Sequence, residues 1–261
     1  MLERETPLAE LWPGLETDAT LTAYCRGRTG MLADDGARWA VLILPGGGYE
    51  RIAPAEAEPV ALAFLAAGVQ AFVLSYSVLP AQWPRQLLDG AAAMAWLRIH
   101  SEAYGFRSDR VAVCGFSAGG HLAGCLSCLW DRPALQEALG AAPEQVRPDA
   151  AILCYPVVNE ARYLTPLGGA APLHLEALVT PDHPPAFLWS TLGDATVPVD
   201  NTMAYARALQ RRGVPFELHL FADGPHAMGL ADRESARDEA HYNAHAAAWH
   251  PLCVDWLKGR K

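Results

Sequence analysis

The chain has 261 residues, 51% hydrophobic and 19% charged, enough to bury one sizeable core, and residues 1–261 read as a single domain. A formal net charge of −9 speaks against nucleic acid as a partner, since a phosphate backbone is held by clustered Lys and Arg. The opening Met1-Leu2-Glu3-Arg4 has no basic stretch leading into an apolar run, and no apolar segment reaches membrane-spanning length, so a cytoplasmic protein without membrane contact is expected.

In chain order, residues 21–26 and 39–44 read as strands that begin an antiparallel edge, because Asp34-Asp35-Gly36 joins them with no helical pattern between. Further strands fall near 70–76, 110–114, 150–156, 186–192 and 216–221, apolar and rich in β-branched and aromatic residues. Helices of 3.6 period alternate with them: 56–67 stopped by Gly68, 87–102 stopped by Gly105, then 118–129, 200–212 and 234–257. Alternation of this kind is the mark of parallel βαβ units, with helices on both faces of a mostly parallel sheet. The irregular stretch 159–185, with Gly168-Gly169 and several prolines, reads as a small loop or cap insertion. It is short for a lid, so an open site for small substrates is expected.

The sharpest signal is Gly115-Phe116-Ser117-Ala118-Gly119, where a strand runs into a small-residue helix. A G-x-S-x-G elbow needs small flanks because the turn forces the serine into a strained, exposed position. A serine hydroxyl is a weak nucleophile at neutral pH and needs a histidine base held by a carboxylate. Asp194, in Leu192-Gly193-Asp194 at the end of the strand near 186–192, and His226, in Asp223-Gly224-Pro225-His226 after the last strand, supply both in the order Ser, acid, His. Asp200 better suits a helix N-cap, and Asp223 stands so near His226 that loop shaping explains it. The loop Pro45-Gly46-Gly47-Gly48-Tyr49 lets backbone approach a ligand. The amides of Gly47, Gly48 and Ala118 are candidates to hold a developing oxyanion, with Tyr49 as a candidate substrate contact.

Other constellations carry less. Gly115 to Gly120 has phosphate-loop spacing but continues with His121-Leu122 in place of Lys and Ser or Thr. His121 packs or caps the helix after the elbow. The six cysteines have apolar surroundings, and Cys125 and Cys128 fall in that same helix, which reads as core. His241 and His245, four apart on the last predicted helix without the H-E-x-x-H pattern, read as a solvated face. No metal and no cofactor is expected.

With these residues assembled, the chain resembles the α/β-hydrolase superfamily, and within it the small serine esterases described as acetyl-xylan or sugar-ester hydrolases. The resemblance rests on Leu44-Pro45-Gly46-Gly47-Gly48-Tyr49, Glu58-Pro59-Val60-Ala61, Gly115 to His121, Arg147-Pro148-Asp149, Tyr155-Pro156, Pro184-Pro185, Asp194 with Val197-Pro198, and Gly224-Pro225-His226. It implies Ser117 as nucleophile, His226 as general acid and base, Asp194 as its orienting carboxylate, and an eight-stranded, mostly parallel sheet. It further implies hydrolysis of short acyl esters, acetyl above all, of a sugar or other small alcohol, with a small-molecule ester as partner and scope for a homo-oligomer. Two rivals stand beside it: a peptidase or amidase on the same scaffold, and a non-catalytic binding protein with a hydrolase fold.

Overall fold

Strands that are apolar at every position need cover on both faces, and the centre of the molecule is built on such strands. A computed structural model describes residues 2–31, 37–168 and 171–260. The strands are β1 (Leu2–Pro7), β2 (Thr20–Cys25), β3 (Arg38–Leu44), β4 (Gln70–Ser75), β5 (Phe106–Phe116), β6 (Ala150–Cys154), β7 (Ala186–Thr191) and β8 (Phe216–Phe221). They form one sheet in the order β1-β2-β4-β3-β5-β6-β7-β8. β2 pairs antiparallel with β1 and with β4; every other pair is parallel.

The antiparallel edge is present, but its pairing corrects the expectation that 21–26 would join 39–44. β2 pairs with β4, Leu21 opposite Leu74 and Ala23 opposite Phe72. β3 is buried at every position and is flanked by β4 and β5, whereas Thr20 and Thr22 of β2 are partly exposed. A strand buried throughout takes the central place, and a half-polar one goes outside it. The connecting Asp34-Asp35-Gly36 lies outside the described residues.

The helices are α1 (Leu8–Leu11), α2 (Glu58–Ala66), α3 (Arg85–His100), α4 (Ala118–Leu129), α5 (Pro133–Leu139), α6 (Pro143–Val146), α7 (Ala161–Leu164), α8 (Asp200–Arg212) and α9 (Trp249–Lys258). Side chains along a strand alternate between faces, so β3 feeds two cores at once. Ala40, Leu42 and Leu44 pack with residues of α3, α4 and α8, while Trp39, Val41 and Ile43 pack with Val60 and Phe64 of α2 and Trp249 and Leu257 of α9. Asp200 is the first residue of α8 rather than its cap, a place taken by Val199.

The predicted helix at 234–257 is largely absent. Only α9 and two single turns, Glu239–His241 and Ala246–Ala248, are helical there. Pro251 clashes with a carbonyl four residues back in a longer helix, so α9 starts two residues before it. Asp238 and Asn243 add to this by capturing the amides of Ala240, His241, His245 and Ala246 with their side chains. The insertion at 159–185 is packed down rather than free: Leu164, Leu167, Leu175 and Val179 are buried in the α4 side of the core. Gly169 of that segment lies outside the described residues. All six cysteines are unpaired and buried. Among the described residues, no helix is long and apolar enough to cross a membrane, and no group of three or more His, Cys, Asp or Glu could hold a metal ion.

Candidate active site

The carboxyl ends of β3, β5, β7 and β8 bring their loops to one rim of the sheet, where ligands bind in open α/β folds. β5 ends at Phe116 and α4 starts at Ala118, leaving Ser117 alone in the turn at φ 53° and ψ −117°. That conformation is costly for a residue with a side chain and persists only where the surroundings enforce it. Here the surroundings are backbone. A Cβ added at Gly115 would fall 2.1 Å from the Gly119 carbonyl oxygen, and one at Gly119 would fall 2.0 Å from that of Leu44. The flanking glycines therefore let β5, α4 and the end of β3 close on one another, and the serine is what protrudes.

Ser117, His226 and Asp194 form one hydrogen-bonded chain. The Ser117 hydroxyl lies 2.7 Å from His226 Nε2, and His226 Nδ1 lies 2.6 Å from Asp194 Oδ2. The other oxygen of Asp194 accepts from the amides of Thr196 and Val197 at 2.9 and 2.8 Å. With its carboxylate buried and its second oxygen tied down by backbone, Asp194 fixes which nitrogen of His226 carries the proton: Nδ1–H donates to the acid, and Nε2 is left to accept from the serine. The Asp223 side chain takes no part in this chain; its carbonyl oxygen accepts from Asn243 Nδ2 at 2.9 Å.

The glycine loop meets the serine from the opposite side. Gly47 and Gly48 have φ of 125° and 67°, a region open to glycine, and a Cβ on Gly47 would lie 2.0 Å from the Arg51 carbonyl oxygen. Gly47, Gly48, Ser117 and His226 line a cavity of about 230 Å³, together with Glu50, Arg51, Ala53, Glu56, Tyr163, Thr196 and Ala227. Ala118 is the first residue of α4, so its amide has no acceptor within the helix. The Ala118 amide thus opens α4 at its positive end directly after Ser117, and Gly47 and Gly48 line the cavity together with the serine.

Tyr49, expected to touch substrate, does not reach the cavity. Its ring is fully buried and its hydroxyl donates to His121 Nδ1 at 2.8 Å. His121 donates its Nε2–H to the Pro172 carbonyl at 2.9 Å, and burial pushes its pKa down to about 4, so it is a neutral link. Tyr49, His121 and Pro172 tie the glycine loop, α4 and the 159–185 segment together beneath the site. His241 and His245 do not share a helix face: His241 Nδ1 bonds Asp238 at 2.6 Å, and His245 packs edge-on against Phe221.

Two residues of the site had no clear signal in the sequence. Tyr163 reaches the cavity from α7, inside a segment whose pattern gives only an irregular loop. Glu56 reads as an acid opening a helix, an ordinarily solvated place, yet it is 1% exposed. Its Oε2 accepts from the Gly46 amide at 2.7 Å and its Oε1 from the Tyr155 hydroxyl at 2.8 Å. Its partners, the glycine loop and Tyr155, are distant in the sequence and meet it only in the fold.

An eight-stranded sheet of this order, with a serine at the β5–α4 turn and a histidine loop after β8, defines an α/β hydrolase. The comparisons with known proteins agree. MGS-M1, an α/β-hydrolase enzyme from a Medee basin deep-sea metagenome library, is 31% identical with a TM-score of 0.83, over 99% of this chain and 97% of that one. The chain therefore belongs to the α/β-hydrolase superfamily, where it groups with carboxylesterases. The carboxylesterase Cest-2923 from Lactobacillus plantarum is 26% identical with a TM-score of 0.89, over 99% of this chain and 97% of that one. The acetyl ester-xyloside bifunctional hydrolase from Caldicellulosiruptor lactoaceticus is 31% identical with a TM-score of 0.81, over 98% and 95%. BD-FAE matches residues 34–160, and the prolyl oligopeptidase family matches residues 161–250. The endo-1,4-beta-xylanase B of Butyrivibrio fibrisolvens is 33% identical over 222 residues, 77% of this chain. The acetylxylan esterase of Xylanibacter ruminicola is 26% identical over 209 residues, 73% of this chain. The match spans only 34% and 41% of these two curated relatives' own lengths.

Proposed function

We propose that the chain is a serine carboxylesterase that removes a short acyl group, acetyl in the first place, from a sugar or similar small alcohol. In this reading the Ser117 oxygen attacks the ester carbonyl while His226 Nε2 takes its proton. Asp194 stabilises the resulting imidazolium, and the amides of Gly47, Gly48 and Ala118 hold the oxyanion. His226 then gives the proton to the departing alcohol, leaving an acyl-enzyme on Ser117. A water attacks that acyl group with His226 again as base, and the free acid leaves.

The observation that carries the reading is the Ser117–His226–Asp194 chain, with links of 2.7 and 2.6 Å, opening on a cavity of only about 230 Å³. That volume suits a short acyl group and leaves the alcohol at the mouth, beside the exposed side chains of Glu50 and Arg51. The names of the acetylxylan esterase and the acetyl ester-xyloside hydrolase support acetylated carbohydrate as the substrate class. Six unpaired, buried cysteines suit a reducing compartment, which supports a cytoplasmic location.

The test is hydrolysis of p-nitrophenyl acetate and of acetylated oligosaccharides followed by mass spectrometry. Ser117→Ala is expected to bring both rates to background with the fold intact, and a retained rate would refute the assignment. A second reading, cleavage of amide bonds, is favoured by the prolyl oligopeptidase match over 161–250. A panel of acyl esters against aminoacyl amides separates the two: faster turnover of the amides selects the peptidase.

A further inference from the structure

The cavity is lined by a buried carboxylate that the Ser117–His226–Asp194 chain does not use. Glu56 sits in the turn before α2, with one oxygen on the Gly46 amide and the other on the Tyr155 hydroxyl. The Tyr155 oxygen accepts in turn from the amide of Gly229 at 2.9 Å, in the loop that carries His226. The Tyr155 ring stands edge-on to the His226 imidazole, centroids 5.1 Å apart. There is no slack on the other side either: a Cβ on Gly46 would lie 2.7 Å from Glu56 Oε2 and 3.0 Å from Ser117 Cβ. One buried side chain thus joins the glycine loop to the histidine loop.

The Gly46 amide and the Tyr155 hydroxyl both donate to this carboxyl, which is the solvation an ionised group requires. Burial pushes its pKa up, while the Tyr155 hydroxyl, the Gly46 amide and the His226 imidazole each pull it back. The groups facing His226 are Asp194 from the loop after β7, Glu56 from the turn before α2 and Tyr155 from the end of β6. Glu56 is faced by Tyr155, His226 and, more remotely, Tyr76 beyond β4. Arg51 and Glu50 stand at the cavity mouth.

We propose that Glu56 is a positioning residue for the ester hydrolysis: its charge favours the imidazolium that His226 becomes when Ser117 gives up its proton, and its two hydrogen bonds hold the glycine and histidine loops at the spacing the reaction needs. Glu56 itself neither gives nor takes a proton; that proton passes from Ser117 Oγ to His226 Nε2. The inference rests on the reading of Ser117 as nucleophile and His226 as base.

Glu56→Gln keeps the volume and removes the charge. Expected are a fall in kcat on p-nitrophenyl acetate of about tenfold with KM within about twofold, the pattern of an interaction made chiefly in the transition state. The acid limb of kcat/KM is expected to move to lower pH, because an imidazole that loses a nearby anion sheds its proton more readily. A residue that merely supports the fold lowers the active fraction and leaves that limb in place, so an unmoved limb overturns the proposal. Should the Gln chain fail to fold, Tyr155→Phe removes the hydroxyl's two hydrogen bonds, to Glu56 and from the Gly229 amide, and keeps the charge. It should lower kcat without moving the limb to lower pH, and a downward move or an unchanged kcat overturns the proposal. Ser117→Ala, run in parallel, separates the two claims: if it stays active the base reading fails, and if it is dead while Glu56→Gln matches the parent, only the role of Glu56 fails.

Discussion

The two halves of the candidate site are held by different forces. Ser117 is set by exclusion: Gly115, Gly119 and Gly120 bring backbone to within contact of backbone, and a single added methyl has nowhere to go. His226 is set by polar attachment. Its loop has almost no regular structure; it donates hydrogen bonds to the Asp194 and Tyr155 side chains and accepts one from Asn243, which pins it to the ends of β7 and β6 and to the segment before α9. The first arrangement fails completely or not at all, whereas the second can be loosened a bond at a time.

The largest effect expected is at the elbow. Gly119→Ala puts a Cβ 2.0 Å from the Leu44 carbonyl oxygen, a backbone atom in the central strand that cannot swing aside. Loss of soluble folded protein, or a severe drop in Tm by calorimetry, is expected; a well-folded Gly119→Ala would mean the elbow has slack. On the histidine side the corresponding change is chemical. Asp194→Asn should lower kcat by about 10⁴, the order seen when the orienting carboxylate of a triad is replaced, while leaving Tm within a few degrees. A large loss of Tm instead would make the base loop as stiff as the elbow.

Acid should discriminate next. Burial holds His121, His183 and His250 at about 4, below the ordinary value of 6.5. The unfolded chain therefore takes up these protons first. The stability they contribute is complete above pH 6.5 and is lost as pH falls towards 4, at up to about 1.4 kcal/mol per pH unit for each group. His121 lies in α4, and His183 Nδ1–H donates to the Pro184 carbonyl while its Nε2 accepts from the Tyr205 hydroxyl of α8 at 2.7 Å. Tm measured from pH 7 to 4.5 should fall steadily below 6.5, and a flat profile contradicts the buried neutral state. The smallest effect belongs to one tether. Asn243→Ala removes the bond to the Asp223 carbonyl and the caps on His245 and Ala246, about 1 kcal/mol each at most. It should change kcat by less than about tenfold and leave the stability of the elbow side untouched, which hydrogen exchange of α4 amides would register.

The same contrast explains what the sequence made legible. Backbone crowding leaves a compositional trace, so Gly115-Phe116-Ser117-Ala118-Gly119 and the three glycines after β3 could be read directly, and α4 falls at the predicted 118–129. Apolar runs gave six of the strands to within a few residues. β1 was invisible because its Glu3, Arg4 and Glu5 read as loop, and an edge strand paired on one side tolerates charge. The pairing of β2 with β4 rather than β3 depends on which strand the core selects for its centre, a non-local choice. The 234–257 stretch has helix-forming alanines, but Pro251 and the capping by Asp238 and Asn243 override them. Glu56 is the clearest case: nothing in Ala55-Glu56-Ala57 distinguishes a buried acid from a solvated one until the glycine loop and Tyr155 arrive beside it.

The six thiols carry a practical consequence. All are sealed within the folded chain, and burial pushes Cys25 and Cys128 up to about 12, so the thiolate that reacts with alkylating or chromogenic reagents is scarce while the chain is closed. Colour released by a disulfide dye should therefore clock whole-molecule opening events, with thiols in β2, α4, β5, β6 and α9 serving as built-in probes that need no label.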